Sequence, residues 1–363
     1  MNIGIDFGTT NSVISYFFDN DIKILKINNK YLISSKIKIN KNKIYYGYEV
    51  NNDFDGLIVN NFKNKINKNK IIMFNKKEYK LDNLIKNYLV YITKLIKNNL
   101  KNDIYNCIIS VPNNFDDSKK IFIRNVFLKE NLNIIRIINE SSAAAIYSSY
   151  NNKNLSEKIL IVDIGGGTTD LTVLEKDDEL YEIVESIGDS TLGGNNFTNI
   201  LFNKLKKNYN ISWNDAEFLK KSLLDNDKIN INLKKNIFNL SKDYFLNIFS
   251  DLIKQLNKLY IKIQSKDINK IILVGGSSKL FLIKKTKDLF FKINTITHNE
   301  LQTIVAKGSC KYLTNLSNKN SEIIVLDIVK LSIGIETSDD NFSIIIPKGT
   351  NLPAKISKRY VVT

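Results

Sequence analysis

Apolar positions recur with two periods along this chain, and the switches between them mark out its elements. Within residues 1–50 they alternate, as in half-buried strands, over 11–18, 22–27 and 44–48, with polar turns between. Residues 51–80 are polar and lysine-rich with weak periodicity. Helical spacing then takes over across 81–99, where Leu81, Leu84, Ile85, Tyr88, Ile92, Leu95 and Ile96 share one face. A buried strand is predicted over 104–111, stopped by Pro112. Asp116 or Asp117 caps a helix reaching about residue 131. A strand over 134–138 and an alanine-rich helix over 141–149 close a first lobe.

The second half repeats this grammar. Strand, turn and strand run from Lys158 to Glu175, another strand covers 180–187, and a helix covers 195–208. A lysine-rich insertion reads as helical. Then come a buried strand over 268–274 and helices over 279–291 and 301–313. Beyond Asn318 the chain turns β-like, with Pro347 and Pro353, which predicts a boundary there.

Two strand–turn–strand units share one design. The first reads Asp6-Phe7-Gly8-Thr9-Thr10-Asn11, and the second Asp163-Ile164-Gly165-Gly166-Gly167-Thr168-Thr169-Asp170. Glycine lets a backbone come close to an anion, and turn amides and hydroxyls donate to phosphate oxygens. An aspartate at the strand end can hold Mg²⁺ through its water shell. One such turn would pass for an ordinary hairpin. Two copies, 157 positions apart (6 to 163), point to a duplicated domain gripping one nucleotide from both sides. The chain has no Walker loop and no Gly-x-Gly-x-x-Gly string.

Composition narrows the classes further. At 363 residues, 43% hydrophobic and 25% charged, the chain suits a globular protein of two lobes. No apolar run approaches a membrane span, so no membrane partner is expected. The first strand begins by residue 3, so no leader peptide is expected. Cys107 and Cys310 lack metal-ligand spacing and fit a reduced, cytoplasmic setting. His298 is the sole histidine, which argues against histidine-based catalysis. The formal charge of +16 is spread as lysine among asparagine and isoleucine, with little arginine, so no nucleic acid partner is expected.

The two turns resemble the phosphate loops of the actin, hexokinase and heat-shock chaperone superfamily. Val111-Pro112, Arg136-Ile137-Ile138-Asn139-Glu140-Ser141-Ser142-Ala143-Ala144-Ala145, Leu192-Gly193-Gly194-Asn195-Asn196-Phe197 and Val274-Gly275-Gly276-Ser277-Ser278-Lys279 are similar to segments of the seventy-kilodalton, DnaK-like heat-shock chaperones. Leu326-Asp327-Ile328-Val329-Lys330-Leu331-Ser332-Ile333-Gly334-Ile335-Glu336-Thr337 resembles that family's interdomain linker and first substrate-domain strand. The resemblance is patchy but runs in order along nearly the whole chain. It implies an α/β, actin-like ATPase fold: duplicated ribonuclease H-like lobes around a nucleotide cleft, with a short β-rich C-terminal fragment. The implied divisions are lobe I over 1–157, lobe II over 158–318, a linker and first strand over 319–337, and a β fragment over 338–363.

The resemblance also implies the site. Asp6 and Asp163 would hold Mg²⁺, with Gly8, Thr9, Thr10, Asn11, Gly165, Gly166, Gly167 and Thr168 around the phosphates of ATP or ADP. Lys63, Glu140, Asp163 and Asp170 are the catalytic candidates, and K⁺ is a further candidate ion. Gly193, Gly194, Glu217, Lys220, Lys221, Gly275, Gly276, Ser277 and Lys279 would complete the nucleotide site. For Lys63 a solvated surface lysine competes, and for Glu217 with Lys221 a surface i,i+4 ion pair does. Pro112, Lys120 and Glu140 match a nucleotide-sensing relay, and Arg136 matches a linker-facing position. In four places the chain departs from the family: Ser141 for proline, Leu224 for serine, Lys279 for arginine and Gln302 for aspartate. An arginine that stacks on adenine is not equivalent to lysine, so weaker nucleotide affinity is expected.

The resemblance implies a monomeric chaperone ATPase, whose family works with a J-domain co-chaperone and an unfolded or iron–sulfur scaffold client. The iron–sulfur assembly branch fits the compact second lobe. An actin-like filament former is the rival, and a sugar kinase the third reading. Only 26 residues follow Thr337, enough for about two strands, so a complete peptide groove and client binding are not expected. Residues 323–326 are expected to pack on the second lobe, with a loosely held tail.

Overall fold

The computed structural model describes residues 1–363 except 42, 51–55, 114, 150–155, 224–226, 234–235, 266, 294, 297–300, 318–322, 330–331, 338–340, 353 and 361–363. Leu224, His298, Pro353 and the boundary expected at Asn318 lie outside the described residues.

Two sheets built on one plan organise the chain. The first runs Asn133–Asn139, Asn106–Val111, Asn2–Phe7, Asn11–Phe18, Asp21–Ile24, with Ile33–Ser34 also paired to Asn11–Phe18. The second runs Thr295–Ile296, Lys270–Val274, Glu157–Ile164, Thr169–Asp177, Leu180–Asp189, Ile324–Ile328, Asn351–Leu352. In each, a central strand is antiparallel to its hairpin partner and parallel to a later strand. Both central strands bury apolar runs, Ile3 and Ile5 in one and Ile159 to Val162 in the other, because helices cover both sheet faces.

The helix Leu81–Leu100 buries Leu81, Leu84, Ile85, Tyr88, Ile92 and Ile96 on the first core and ends at Lys101 in left-handed backbone. Asp116 caps the next helix, Asp117–Lys129, by accepting from the Lys119 amide at 3.0 Å. The helix Glu140–Ser149 does more than close the first lobe. Its alanines 143–145 are buried among the second lobe's core residues. Small side chains let the helix Ile304–Ser317 cross it closely, and a Cβ on Gly308 would lie 1.8 Å from the Ala143 carbonyl oxygen.

Two segments differ from the sequence reading. The insertion after residue 208 is not wholly helical: between the helices Trp213–Ser222 and Lys242–Ile248 it holds a hairpin, Lys228–Leu233 with Asn236–Ser241. Phe238 and Leu240 alternate inward, a period of two submerged in lysine and asparagine. The weakly periodic 51–80 stretch contains the strand Leu57–Val59, a 3₁₀ turn at Lys63–Lys65 and the hairpin Ile71–Phe74 with Lys77–Lys80.

The strand Ile324–Ile328 joins the second sheet beside Leu180–Asp189, with Ile323 and Val325 buried, so the expected packing of 323–326 on that lobe is what the fold contains. Phe342–Ile346 pairs with Ile333–Glu336. One part of the tail is held where a loose end was expected: Asn351–Leu352 pairs with Asp327–Ile328, whose outer edge still offers backbone groups to satisfy. The reversal at Gly349, with φ at +87°, makes this return possible.

Candidate active site

Each glycine turn is the tip of a hairpin whose ladder aims the strand-end aspartate into the space between the sheets. Asp6 pairs with Val13 across the first hairpin, and Asp163 with Asp170 across the second. The turns meet tip to tip. A Cβ on Gly166 would fall 1.8 Å from Thr10 Oγ1, and one on Gly167 would fall 2.9 Å from Thr9 Cγ2. Glycine suits these positions because any side chain would have to push aside the threonines of the facing loop.

Lys63 is buried in the cleft and is no surface lysine. Its Nζ donates to Glu140 Oε1 at 2.7 Å and sits 5.4 Å from the Phe7 ring centroid and 5.6 Å from that of Phe115. Buried Phe62 and Ile66 on either side of the 3₁₀ turn pin it, and Phe62 meets Tyr88 edge-on at 5.2 Å. Lys63 thus faces a cluster of carboxylates. Burial first, then Glu140, pushes the Asp6 carboxyl up to about 8, against the pull of Lys63 and of the Ser110 hydroxyl. Asp163 is pushed well above the usual carboxylate range by burial, then by Glu140, Asp170 and Asp6.

A cavity of about 100 Å³ joins these groups, lined by Asp6, Gly8, Thr9, Thr10, Asn11, Lys63, Glu140, Asp163, Gly165, Gly166, Thr168, Gly275 and Gly276. It continues into one of about 360 Å³ through the shared Thr10, Asn11, Leu32, Gly166, Gly276 and Gln302. Gly194, Glu217, Lys220, Lys221, Ser277 and Lys279 line the wider part. Three of the expected residues stand behind the lining. Asp170 stands opposite Asp163 on the partner strand, and Gly167 and Gly193 are packed together, a Cβ on Gly193 falling 2.6 Å from the Gly167 carbonyl carbon.

Glu217 does form the i,i+4 pair with Lys221, at 2.8 Å, while also lining the cavity. Burial would raise its carboxyl, but Lys220 above all, with Lys221 and Thr198, holds it at about 2. Lys220 Nζ donates to Gly194 O at 2.9 Å, Thr198 Oγ1 at 2.7 Å and Glu217 Oε2 at 3.0 Å, tying the helix Trp213–Ser222 to the helix Gly194–Leu205. Ser277 Oγ donates to Gly165 O at 2.8 Å, and Gly275, at φ +81°, abuts the Ile164 carbonyl. Val13, Leu32, Leu301 and Val305 also line the cleft, and sequence reading missed them. They are apolar residues on separate elements, and only the fold collects them. Arg136 donates to Tyr312 OH and, at 3.3 Å, to the carbonyl of Val325 in the strand Ile324–Ile328. Lys120 makes an outer ion pair with Asp117 at 3.5 Å, away from the cleft lining.

The donor set fits a nucleotide with a hydrated cation. Thr10 Oγ1 is buried without a hydrogen-bond partner at the point where the loops meet. Among the described residues no three His, Cys, Asp or Glu side chains cluster to cage a metal directly. Asp6 and Asp163, both lining the cavity, could accept from the water shell of Mg²⁺, which keeps several waters and relies on substrate phosphates.

A family model described as "Hsp70 protein" matches residues 42–363. The chain belongs to this family. The family carries the actin-like ATPase fold, in accord with the duplicated sheets and the cleft between them. The chain is 32% identical to the chaperone protein HscA of Buchnera aphidicola, across 99% of this chain and 80% of that protein. It is 26% identical to an HscA homologue of Rickettsia bellii, with 99% and 64% covered, and to the chaperone protein DnaK of Metamycoplasma hominis, with 98% and 66% covered. Measured against the last two, the chain spans about two thirds of their length. These names are chaperone names and lend nothing to the filament-forming rival.

Proposed function

We propose that this chain is the Mg²⁺-dependent, ATP-hydrolysing part of a DnaK-like chaperone, cytoplasmic and monomeric. The observation that carries this reading is the Lys63–Glu140 pair standing between two abutting Asp–Gly–Thr hairpins. Phosphoryl transfer needs positioning and neutralised charge more than a strong base. Lys63 would present its charge to the transferred phosphoryl group, and Glu140 would orient the attacking water. The hydroxyls of Thr9, Thr10 and Thr168 would donate to phosphate oxygens, and Asp6 and Asp163 would accept from the ion's water shell, with Asp170 behind them. Mg²⁺, when bound, neutralises the phosphate charge. The nucleoside would lie in the wider cavity, between the Glu217 helix and Gly275-Gly276. Its Lys279 offers a point charge and no guanidinium plane for stacking.

An HscA-like role, with a J-domain co-chaperone and an iron–sulfur scaffold as client, is favoured by the Buchnera relative's name. Titration calorimetry tests the root of the reading: saturable binding of MgADP and MgATP by the folded chain is expected, and no heat from either would overturn it. Gly166→Ala checks the site itself. The added methyl would displace Thr10, so MgADP affinity should fall by about tenfold or more. The melting temperature should stay close to the parent's, since the overlap is with a cleft side chain. Unchanged affinity would remove the two loops from the binding site.

A further inference from the structure

Asn113 follows the proline that ends the strand Asn106–Val111, and its side chain is buried between the lobes. Its amide nitrogen donates to Thr172 Oγ1 at 2.5 Å and to Ser186 Oγ at 2.8 Å. Its amide oxygen accepts from Ser141 Oγ at 3.1 Å. Both amide donors and the amide oxygen are therefore engaged, and all three partners are hydroxyls. Thr172 and Ser186 face each other across the ladder of Thr169–Asp177 and Leu180–Asp189, two residues from the Asp170–Gly188 pair. Ser141 directly follows Glu140 at the start of the helix Glu140–Ser149. Here the chain departs from the family it resembles, with a hydroxyl in place of proline.

We infer that Asn113 is a positioning residue, a polar pin that sets the spacing between Glu140 with Lys63 on one lobe and Asp163 with its glycine loop on the other. The inference rests on the ATPase reading of the cleft. Asp6 reaches the site from the first sheet, Glu140 from the helix that follows its strand Asn133–Asn139, and Lys63 from the 3₁₀ turn beside Phe62 of the first core, while Asp163 and Thr168 come from the second sheet's hairpin. Their separation is decided by whatever joins the lobes close by. A side chain satisfied only when both lobes stand in one relation holds that relation, because separating them strands buried polar groups. Phosphoryl transfer is sensitive to displacements well under an ångström in such a constellation.

The test uses the full chain and three variants: Asn113→Ala, the double variant Thr172→Val with Ser186→Ala, and the triple combination. Single-turnover hydrolysis of ATP should fall about tenfold in Asn113→Ala, with the MgADP dissociation constant within about threefold of the parent. The double variant removes only the second lobe's hydroxyls and should reproduce that fall. The triple variant should lose no more than either, because one connection cannot be cut twice. Hydrolysis by Asn113→Ala within twofold of the parent overturns the inference, and so do losses that multiply in the triple variant. Should Asn113→Ala fail to fold, the double variant decides alone, since valine keeps the shape of threonine. A parent chain that binds no MgATP would count against the ATPase reading and not against the pin.

Discussion

Replacing Lys63 by alanine is expected to slow single-turnover ATP hydrolysis by roughly 100- to 1,000-fold, the usual cost of removing one preorganised charge or donor from a transition state. MgADP should remain bound within about fivefold, because the turn backbones and hydroxyls proposed to grip phosphate would be untouched. Both outcomes come from one geometry. Lys63 is the cation that Asp6, Glu140 and Asp163 face, and its ammonium stands 2.7 Å from Glu140 at the floor of the narrow cavity. In the proposed reading a charge so placed would meet the end of the phosphate chain, and removing it would cost most where negative charge shifts during transfer. Quenched-flow assay with radiolabelled ATP measures the rate, and calorimetry the affinity. Hydrolysis within a factor of three of the parent would mean that the lysine only neutralises the resting cleft.

How the site was legible follows from where its information lies. The two aspartate–glycine–threonine turns are local devices, each written in consecutive residues, and the structure joins them tip to tip. Lys63 is a different case. Lys65, Lys68 and Lys70 follow it closely, and nothing local separates it from them. What buries it is the flanking Phe62 and Ile66, locked onto Phe7 and Tyr88 from other elements. Only the resemblance could single it out. Asn113 was illegible for the same reason, since its three partners lie 28, 59 and 73 positions away. The missed hairpin in the insertion has another cause. There lysine and asparagine fill outward positions of strand and helix alike, so periodicity loses contrast, and contact with Tyr209 and the second core selects the strand for Phe238.

A methyl group added at Gly308 should cost roughly 3 kcal/mol of stability, although a glycine-to-alanine change inside a helix ordinarily returns about 1 kcal/mol. The sign is decided by what the methyl meets. It would lie 1.8 Å from the Ala143 oxygen and 2.5 Å from the Ala143 carbonyl carbon, backbone atoms of a helix that cannot rotate aside. Nor can Ile304–Ser317 retreat, since a Cβ on Gly4 of the first strand would already stand 2.2 Å from its Ala306 oxygen. The helix is a wedge held on both sides, with Leu301, Gln302 and Val305 at its start lining the cleft. Forcing it outward must therefore open the packing of both lobes together. Urea unfolding of Gly308→Ala should show the midpoint well below the parent's. Gly349→Ala is the control: it meets nothing within 4 Å and carries only the strain of φ at +87°, about 1 kcal/mol. Equal midpoints for the two variants would show that the helices have room to part, and that the lobes are not joined through this crossing.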